Sequence, residues 1–184
     1  MPDIHKIVFA GPMGAGKTTA IASVSHTRVV STDVANSDRA EADKDTTTVA
    51  MDFGEVLLDN GDRLHLYGTP GQSRFDFMWE IAVQGAIGLV LLMDNSRADP
   101  LADLRTCLDA FAPRLRDMAA IVGVGRSETH LLPGLDAYSD LLESRGLTLP
   151  VFGVDVRERD DTLLLLDALF HQIDAMTADA GAAP

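Results

Sequence analysis

The chain has 184 residues, 46% of them hydrophobic, which suits one domain with its own core. A formal net charge of −13 argues against a nucleic-acid surface and means that an anionic ligand has to be held by local features rather than by the overall field. The single cysteine, Cys107, excludes an internal disulfide and fits a reducing cytoplasm. The start Met1-Pro2-Asp3 has no basic segment followed by a long apolar one, no lipidation motif stands at either end, and the longest apolar run, over 85–93, is too short to cross a bilayer. The expectation is a cytoplasmic protein without a direct membrane anchor.

Apolar runs alternate with helical patterns along the whole chain, which predicts an α/β fold with a mostly parallel sheet covered on both faces. The first strand is predicted over 4–10. It leads into Gly11-Pro12-Met13-Gly14-Ala15-Gly16-Lys17-Thr18, which reads G-x-x-x-x-G-K-T, and a helix is predicted over 17–25. Strand, glycine loop and helix are what phosphate binding by a P-loop requires: backbone N–H groups converge on an anion, and the helix N-terminus adds its positive dipole end. The candidate nucleotide-binding residues are Gly11, Met13, Gly14, Ala15, Gly16, Lys17, Thr18 and Thr19. Lys17 is expected to reach the β- and γ-phosphates, and the Thr18 hydroxyl to bind Mg²⁺.

A charged segment over 31–45 lacks periodicity and reads as a loop, or as a segment that orders on ligand. Strands follow over 49–58 and 63–67, joined by Asp59-Asn60-Gly61-Asp62, whose Asn-Gly predicts a two-residue hairpin turn at one edge of the sheet. That turn places Phe53 opposite Gly68 and Asp52 opposite Thr69. A glycine-proline loop, Gly68-Thr69-Pro70-Gly71-Gln72, precedes a helix over 75–83. On this helix Phe75, Met78, Trp79 and Ala82 share a face suited to packing, while Phe77 and Ile81 point the other way and form a candidate partner-binding patch. Strands over 86–93, 119–124 and 151–154 alternate with helices over 100–116, 135–145 and 160–176. Leu101, Leu104, Leu108 and Phe111 form the inner face of the first of these helices, and Leu163, Leu166, Phe170 and Ile173 that of the last. The count is six strands with one antiparallel edge hairpin, in a single domain over 1–176 followed by an Ala/Gly tail over 177–184 expected to fray.

Taken together, these residues resemble the Ras-like small GTPases, in the prokaryotic branch related to MglA-type gliding-motility GTPases and to the small GTP-binding proteins of actinobacterial conservons. The resemblance rests on the P-loop, on Thr46-Thr47-Thr48 with Asp52-Phe53-Gly54, on residues 68–72, on Asp94-Asn95-Ser96-Arg97 and on residues 151–159. It implies a three-layer P-loop fold, GTP or GDP with Mg²⁺ as cofactors, and switch segments over 31–48 and 68–83. It further implies that one of Thr46, Thr47 or Thr48 (in the metal shell, Thr47 or Thr48) binds Mg²⁺ and the γ-phosphate, that Gly71 offers its N–H to the γ-phosphate, and that Gln72 and Lys17 are catalytic, Gln72 by orienting the attacking water. A roadblock-fold regulator and a sensor kinase are implied as partners, and such a partner is what would recruit the chain to the inner membrane.

The chain departs from that family at three places. The Asp that usually opens the loop after the edge hairpin is Gly68, and the hairpin register suggests that Asp52 substitutes for it near the metal. The base-reading N-K-x-D reads Gly125-Arg126-Ser127-Glu128, so Arg126 would stack on the base and Glu128 accept from it. The S-A-K motif reads Asp155-Val156-Arg157. An ATP-dependent P-loop enzyme, or a nucleotide-binding interaction module without turnover, therefore remain alternatives to a slowly hydrolysing GTP switch.

Overall fold

The computed structural model describes residues 2–34, 49–71 and 77–181. Its elements are β1 (Ile4–Ala10), α1 (Lys17–Val24), β2 (Val30–Val34), β3 (Val49–Leu57), β4 (Arg63–Gly68), α2 (Phe77–Ala82), β5 (Gly88–Asp94), α3 (Pro100–Phe111), β6 (Ala119–Gly125), α4 (Leu135–Ser144), β7 (Val151–Val154) and α5 (Arg159–Gly181). They build a mostly parallel sheet in the order β2-β3-β4-β1-β5-β6-β7. Strands β4, β1, β5, β6 and β7 run parallel, β3 runs antiparallel to β4, and β2 antiparallel to β3. The α/β class and the antiparallel edge follow the sequence, but among the described residues the sheet has seven strands rather than six. The addition is β2, all but its first residue in the segment read as a charged loop. Val30, Thr32 and Val34 are β-branched, and pairing with the open edge of β3 satisfies their backbone groups. The acidic and basic residues around them hid this pairing from a periodicity search.

Strand alternation divides the core into two layers. Ile7 and Phe9 of β1, with Val90 and Leu92 of β5, pack against α1 and α5. Val8 and Ala10, with Leu89, Leu91 and Met93, face α2, α3 and α4. All of β5 is buried, as a strand covered on both faces must be. In α3 the inner face is Leu104, Cys107, Leu108 and Phe111, so Cys107 is a packing residue and Leu101 only partly joins in. In α5 the expected stripe is rotated: Thr162, Leu165, Leu166 and Leu169 are buried, while Leu163 stands at the surface. This helix runs past Met176 to Gly181, into the stretch expected to fray. Among the described residues no helix is long and apolar enough to cross a membrane.

The hairpin register also differs from expectation by one residue. Asp52 faces Gly68 and Phe53 faces Tyr67. The turn is longer than two residues: Leu58 N–H donates to the Asp62 carbonyl, and Gly61 alone takes a positive φ, 90°. Asn60 does not enter the left-handed region that a two-residue Asn-Gly turn needs. Its side chain instead accepts from the Asp62 N–H at 3.0 Å and donates to the Asp62 carboxylate at 2.8 Å. The one-residue shift is what brings Asp52 beside Gly68.

Helix α1 lies close on β3. A Cβ on Gly54 would sit 2.5 Å from Ile21 Cγ2 and 2.9 Å from Ser25 Oγ. Gly54→Ala is therefore expected to destabilise the fold by about 1–3 kcal/mol through overpacking, read as a lower denaturation midpoint at unchanged far-UV circular dichroism; an unchanged midpoint would disprove the close packing of α1 on β3.

Candidate functional site

Because β4, β1, β5, β6 and β7 are parallel, their C-terminal ends lie along one edge of the sheet. The loops leaving those ends carry Gly68 to Gly71, the P-loop, Asn95 to Arg97, Arg126 to Glu128 and Asp155 to Arg157. Motifs far apart in sequence thus meet at the crevice where connections from β1 and β5 depart in opposite directions, the place where open α/β sheets bind ligands.

Within the P-loop, Gly16 caps α1 in the left-handed conformation, at φ 91°. It needs glycine twice over, since a Cβ there would also lie 2.6 Å from Val156 Cγ2. Val156, from the loop after β7, therefore packs on the P-loop as its sequence position suggests. Lys17 is 7% exposed and donates to the carbonyls of Gly11 and Pro12, each at 2.8 Å. Desolvation pulls its pKa from the ordinary lysine range down to about 8; Cys107 and Asp52 oppose this, and the positive charge of Arg97 adds to it. Gly71 closes on the same place: a Cβ there would lie 2.5 Å from Met13 N and 2.9 Å from Lys17 Nζ. The loop after β4 and the P-loop thus share one contact face.

The Asp52 carboxylate meets the Thr18 hydroxyl, which donates to Oδ2. Asp52 Oδ2 also lies 3.3 Å from where a Cβ on Gly68 would stand. The carboxylate of β3 thus occupies the neighbourhood that an Asp at position 68 would have filled from β4. Beside it, Thr69 is 2% exposed; its N–H donates to the Phe9 carbonyl at 2.9 Å, and its hydroxyl oxygen is buried with no hydrogen-bond partner among the described residues. No group of three or more His, Cys, Asp or Glu side chains that could hold a metal occurs among the described residues. A Mg²⁺ ion here fits the hydroxyl-and-carboxylate set only with phosphate oxygens and water completing its shell.

On the other side of the P-loop, Arg126 has φ 59°, and among the described residues no other non-glycine residue has a positive φ. Its guanidinium pairs with Asp94 and reaches within 3.4 Å of the Gly14 carbonyl. Burial pushes the Asp94 carboxyl up, but the hydroxyl and N–H of Ser96 and the Arg126 guanidinium together hold it below the usual carboxylate range. Glu128 lies exposed on the same turn. Arg157 pairs with Asp155 rather than with the P-loop, and this pair holds the Asp155 carboxyl down at about 2.

Thr46, Thr47, Thr48, Gln72 and Phe75 lie outside the described residues, as does the side chain of Phe77. Of the α2 face expected to pack inward, Met78, Trp79 and Ala82 are buried, and Ile81 on the opposite side is 58% exposed. The Trp79 ring stacks on Phe111, and its indole N–H donates to the Pro70 carbonyl at 3.0 Å, which fastens the glycine-proline loop to the core. Sequence reading gave no role to Arg97, whose guanidinium lies against the P-loop. Its position three residues beyond the end of β5 was the available signal.

A parallel sheet with this loop, this buried lysine and these convergent strand ends defines a P-loop nucleotide-binding protein. The chain belongs to the family described as conserved hypothetical ATP binding protein, which its residues 9–122 match. It is also 30% identical over 96 residues to the uncharacterized protein MJ1339 of Methanocaldococcus jannaschii, over 52% of this chain and 54% of that protein. The chain thus spans about half the length of the curated relative it matches.

A buried ammonium with a lowered pKa costs the folded state stability wherever it must stay charged. The unfolded chain binds this proton more tightly, so the contribution of Lys17 to stability improves as pH rises from about 8 towards the ordinary lysine value. Lys17→Met is accordingly expected to melt no lower than the parent at pH 7 while losing nucleotide binding. Scanning calorimetry and fluorescent-nucleotide titration read the two effects, and retained binding by the folded variant would refute the assignment of Lys17 to the phosphates.

Proposed function

We propose that this protein is a guanine-nucleotide switch that hydrolyses GTP slowly, with Mg²⁺ as its metal. The observation that carries the reading is the packing of Gly71 against Met13 N and Lys17 Nζ. A terminal phosphate that engages Lys17 acts on the atom against which the loop after β4 is seated. That loop is tied through Pro70 to Trp79 on α2, so the triphosphate and diphosphate states differ in the position of a helix whose outer face carries the exposed Ile81. Ile81, with Phe77, is the contact we assign to a partner. The partners that the resemblance implies, a roadblock-fold regulator and a sensor kinase, belong to this reading.

Each residue then has a chemical task. Lys17 and the P-loop N–H groups neutralise and align the phosphates, Gly71 N–H reaches the terminal one, and Gln72 orients water. Thr18 and Asp52 would hold Mg²⁺, with one of Thr46, Thr47 or Thr48 from the preceding segment; bound there, the ion would supply charge neutralisation. Arg126 lies over the base and Glu128 accepts from guanine's N–H groups. A second reading, an ATP-dependent protein, is favoured by the description of the family and by the loss of an Asn at Gly125.

Trp79 is the one tryptophan, so its emission reports this loop. It is expected to differ between GDP and a non-hydrolysable GTP analogue, and unlabelled ATP is expected to displace fluorescent GTP at least tenfold less well than GTP does, a difference that Glu128→Ala erases. Identical emission in both states would refute the switch, and equal competition by ATP would establish the second reading.

For Asp52→Asn, the Mg²⁺ concentration that half-maximally slows release of fluorescent GDP is expected to rise on the order of tenfold, the cost of one weakened polar contact to a charged centre. A Mg²⁺ titration that superimposes on the parent's would remove Asp52 from the metal shell.

A further inference from the structure

Two arginines lean on consecutive carbonyls of the P-loop. Arg126 approaches Gly14, as described, and Arg97 Nη1 lies 3.4 Å from the Met13 carbonyl. Arg97 stands between β5 and α3, where its own N–H donates to the Asp94 carbonyl at 3.2 Å. Its Nε and Nη2 donate to the two carboxylate oxygens of Asp103 in the first turn of α3. A guanidinium is a rigid planar fork, so fixing one edge leaves Nη1 as the corner turned to the P-loop. The Arg97 side chain as a whole remains 39% exposed.

The contacts of the P-loop give it a direction. Its Gly16 end meets Val156, on the side of the loops after β6 and β7. Its Met13 end meets Gly71 and lies beside the Lys17 ammonium, which marks the end of the terminal phosphate. Arg97 is at that second end. The positive charge of Arg97 is felt by Lys17, so the two cations are electrostatic neighbours. Like charges brought together in a partly dry site repel, and a chain of net charge −13 has no general need to gather cations. A polyanion placed between them turns the repulsion into attraction.

We propose that Arg97 is an arginine finger supplied in cis, its Nη1 contacting the terminal phosphate of the bound triphosphate. This rests on the reading that the protein turns its nucleotide over. In that reaction the oxygen of water bonds to the γ-phosphorus, and the bond from that phosphorus to the β–γ bridging oxygen breaks. The electron pair stays with the diphosphate, and the protons of water end on the released phosphate and the solvent. Arg97 neutralises the charge that develops on the bridging and γ-oxygens, and Asp103 is the positioning residue that holds its fork. The protein therefore carries its own arginine and does not wait for one from a partner.

The test compares the full chain with Arg97→Ala and Arg97→Lys, using GTP and ATP in parallel with Mg²⁺. Single-turnover hydrolysis is expected to fall on the order of 100-fold in Arg97→Ala, within the range for lost transition-state donors, and to recover only in part in Arg97→Lys. Affinity for the diphosphate is expected to stay within about threefold. The parent is expected to form a complex with diphosphate and aluminium fluoride without any partner, and Arg97→Ala to bind the diphosphate but not the fluoride. If Arg97→Ala keeps both the fluoride complex and the rate, even with a lower melting temperature, Arg97 is a loop tether and the proposal is overturned while turnover stands. A parent that binds nucleotide but neither hydrolyses it nor takes up fluoride overturns the proposal together with the turnover reading. A parent that binds no nucleotide at all overturns the functional reading at its base.

Discussion

The constraint to which the rest of the site is fitted is an ammonium group taken out of water. Lys17 Nζ is held by two backbone carbonyls at the bottom of the glycine loop, and burial alone would favour its neutral form. Nothing in the local sequence can stabilise that arrangement by itself. It is supported by the rigidity of β1 between two parallel neighbours, by Val156 pressed on Gly16 from beyond the edge strand β7, and by Gly71 pressed on Met13 from beyond the adjacent strand β4. The site is therefore assembled by the sheet as a whole, and the free energy stored in one desolvated charge becomes available when an anion arrives.

The two halves of the crevice are built on different terms. On the phosphate side each unusual residue has a compensating neighbour: Gly68 leaves space, and the carboxylate of Asp52 from the adjacent strand enters it and meets Thr18. On the base side Arg126 is spent on Asp94 and the Gly14 carbonyl, and Glu128 stands in solvent. In the function we propose, a site with a firm phosphate grip and a loose base grip binds through charge first, with selectivity among bases as a smaller increment.

How far the sequence foretold this can be judged from particular residues. Strand β5 and the P-loop were legible because a run of buried apolar residues and a glycine pattern each have one physical meaning. Strand β2 was not, because its pairing is dictated by the open edge of β3 and leaves no mark in its own periodicity. The hairpin register failed by one position because Asn60 uses its side chain, not its backbone, to make the turn. In α5 the leucines run consecutively from Leu163 to Leu166, so the pattern is consistent with more than one buried face, and contact with α1 and the sheet selects Leu165, Leu166 and Leu169. Arg97 escaped notice because its meaning comes from proximity to Met13, far earlier in the chain.

The place of β1 in the sheet has a consequence for how the molecule comes into being. Ile4 pairs with Arg63 and Ile7 with Gly88, so β1 has no neighbour until β4 exists and gains its second only with β5. The β3–β4 hairpin, joined by a short turn, pairs locally and presents the edge on which β1 then settles. Closing those long loops costs entropy before any contact compensates for it, which slows assembly of parallel sheets. On a ribosome the apolar face of β1 has to be shielded from other chains until β4 and β5 have been made, so the strand that carries the phosphate loop stays open on both sides while residues 11–62 are synthesised.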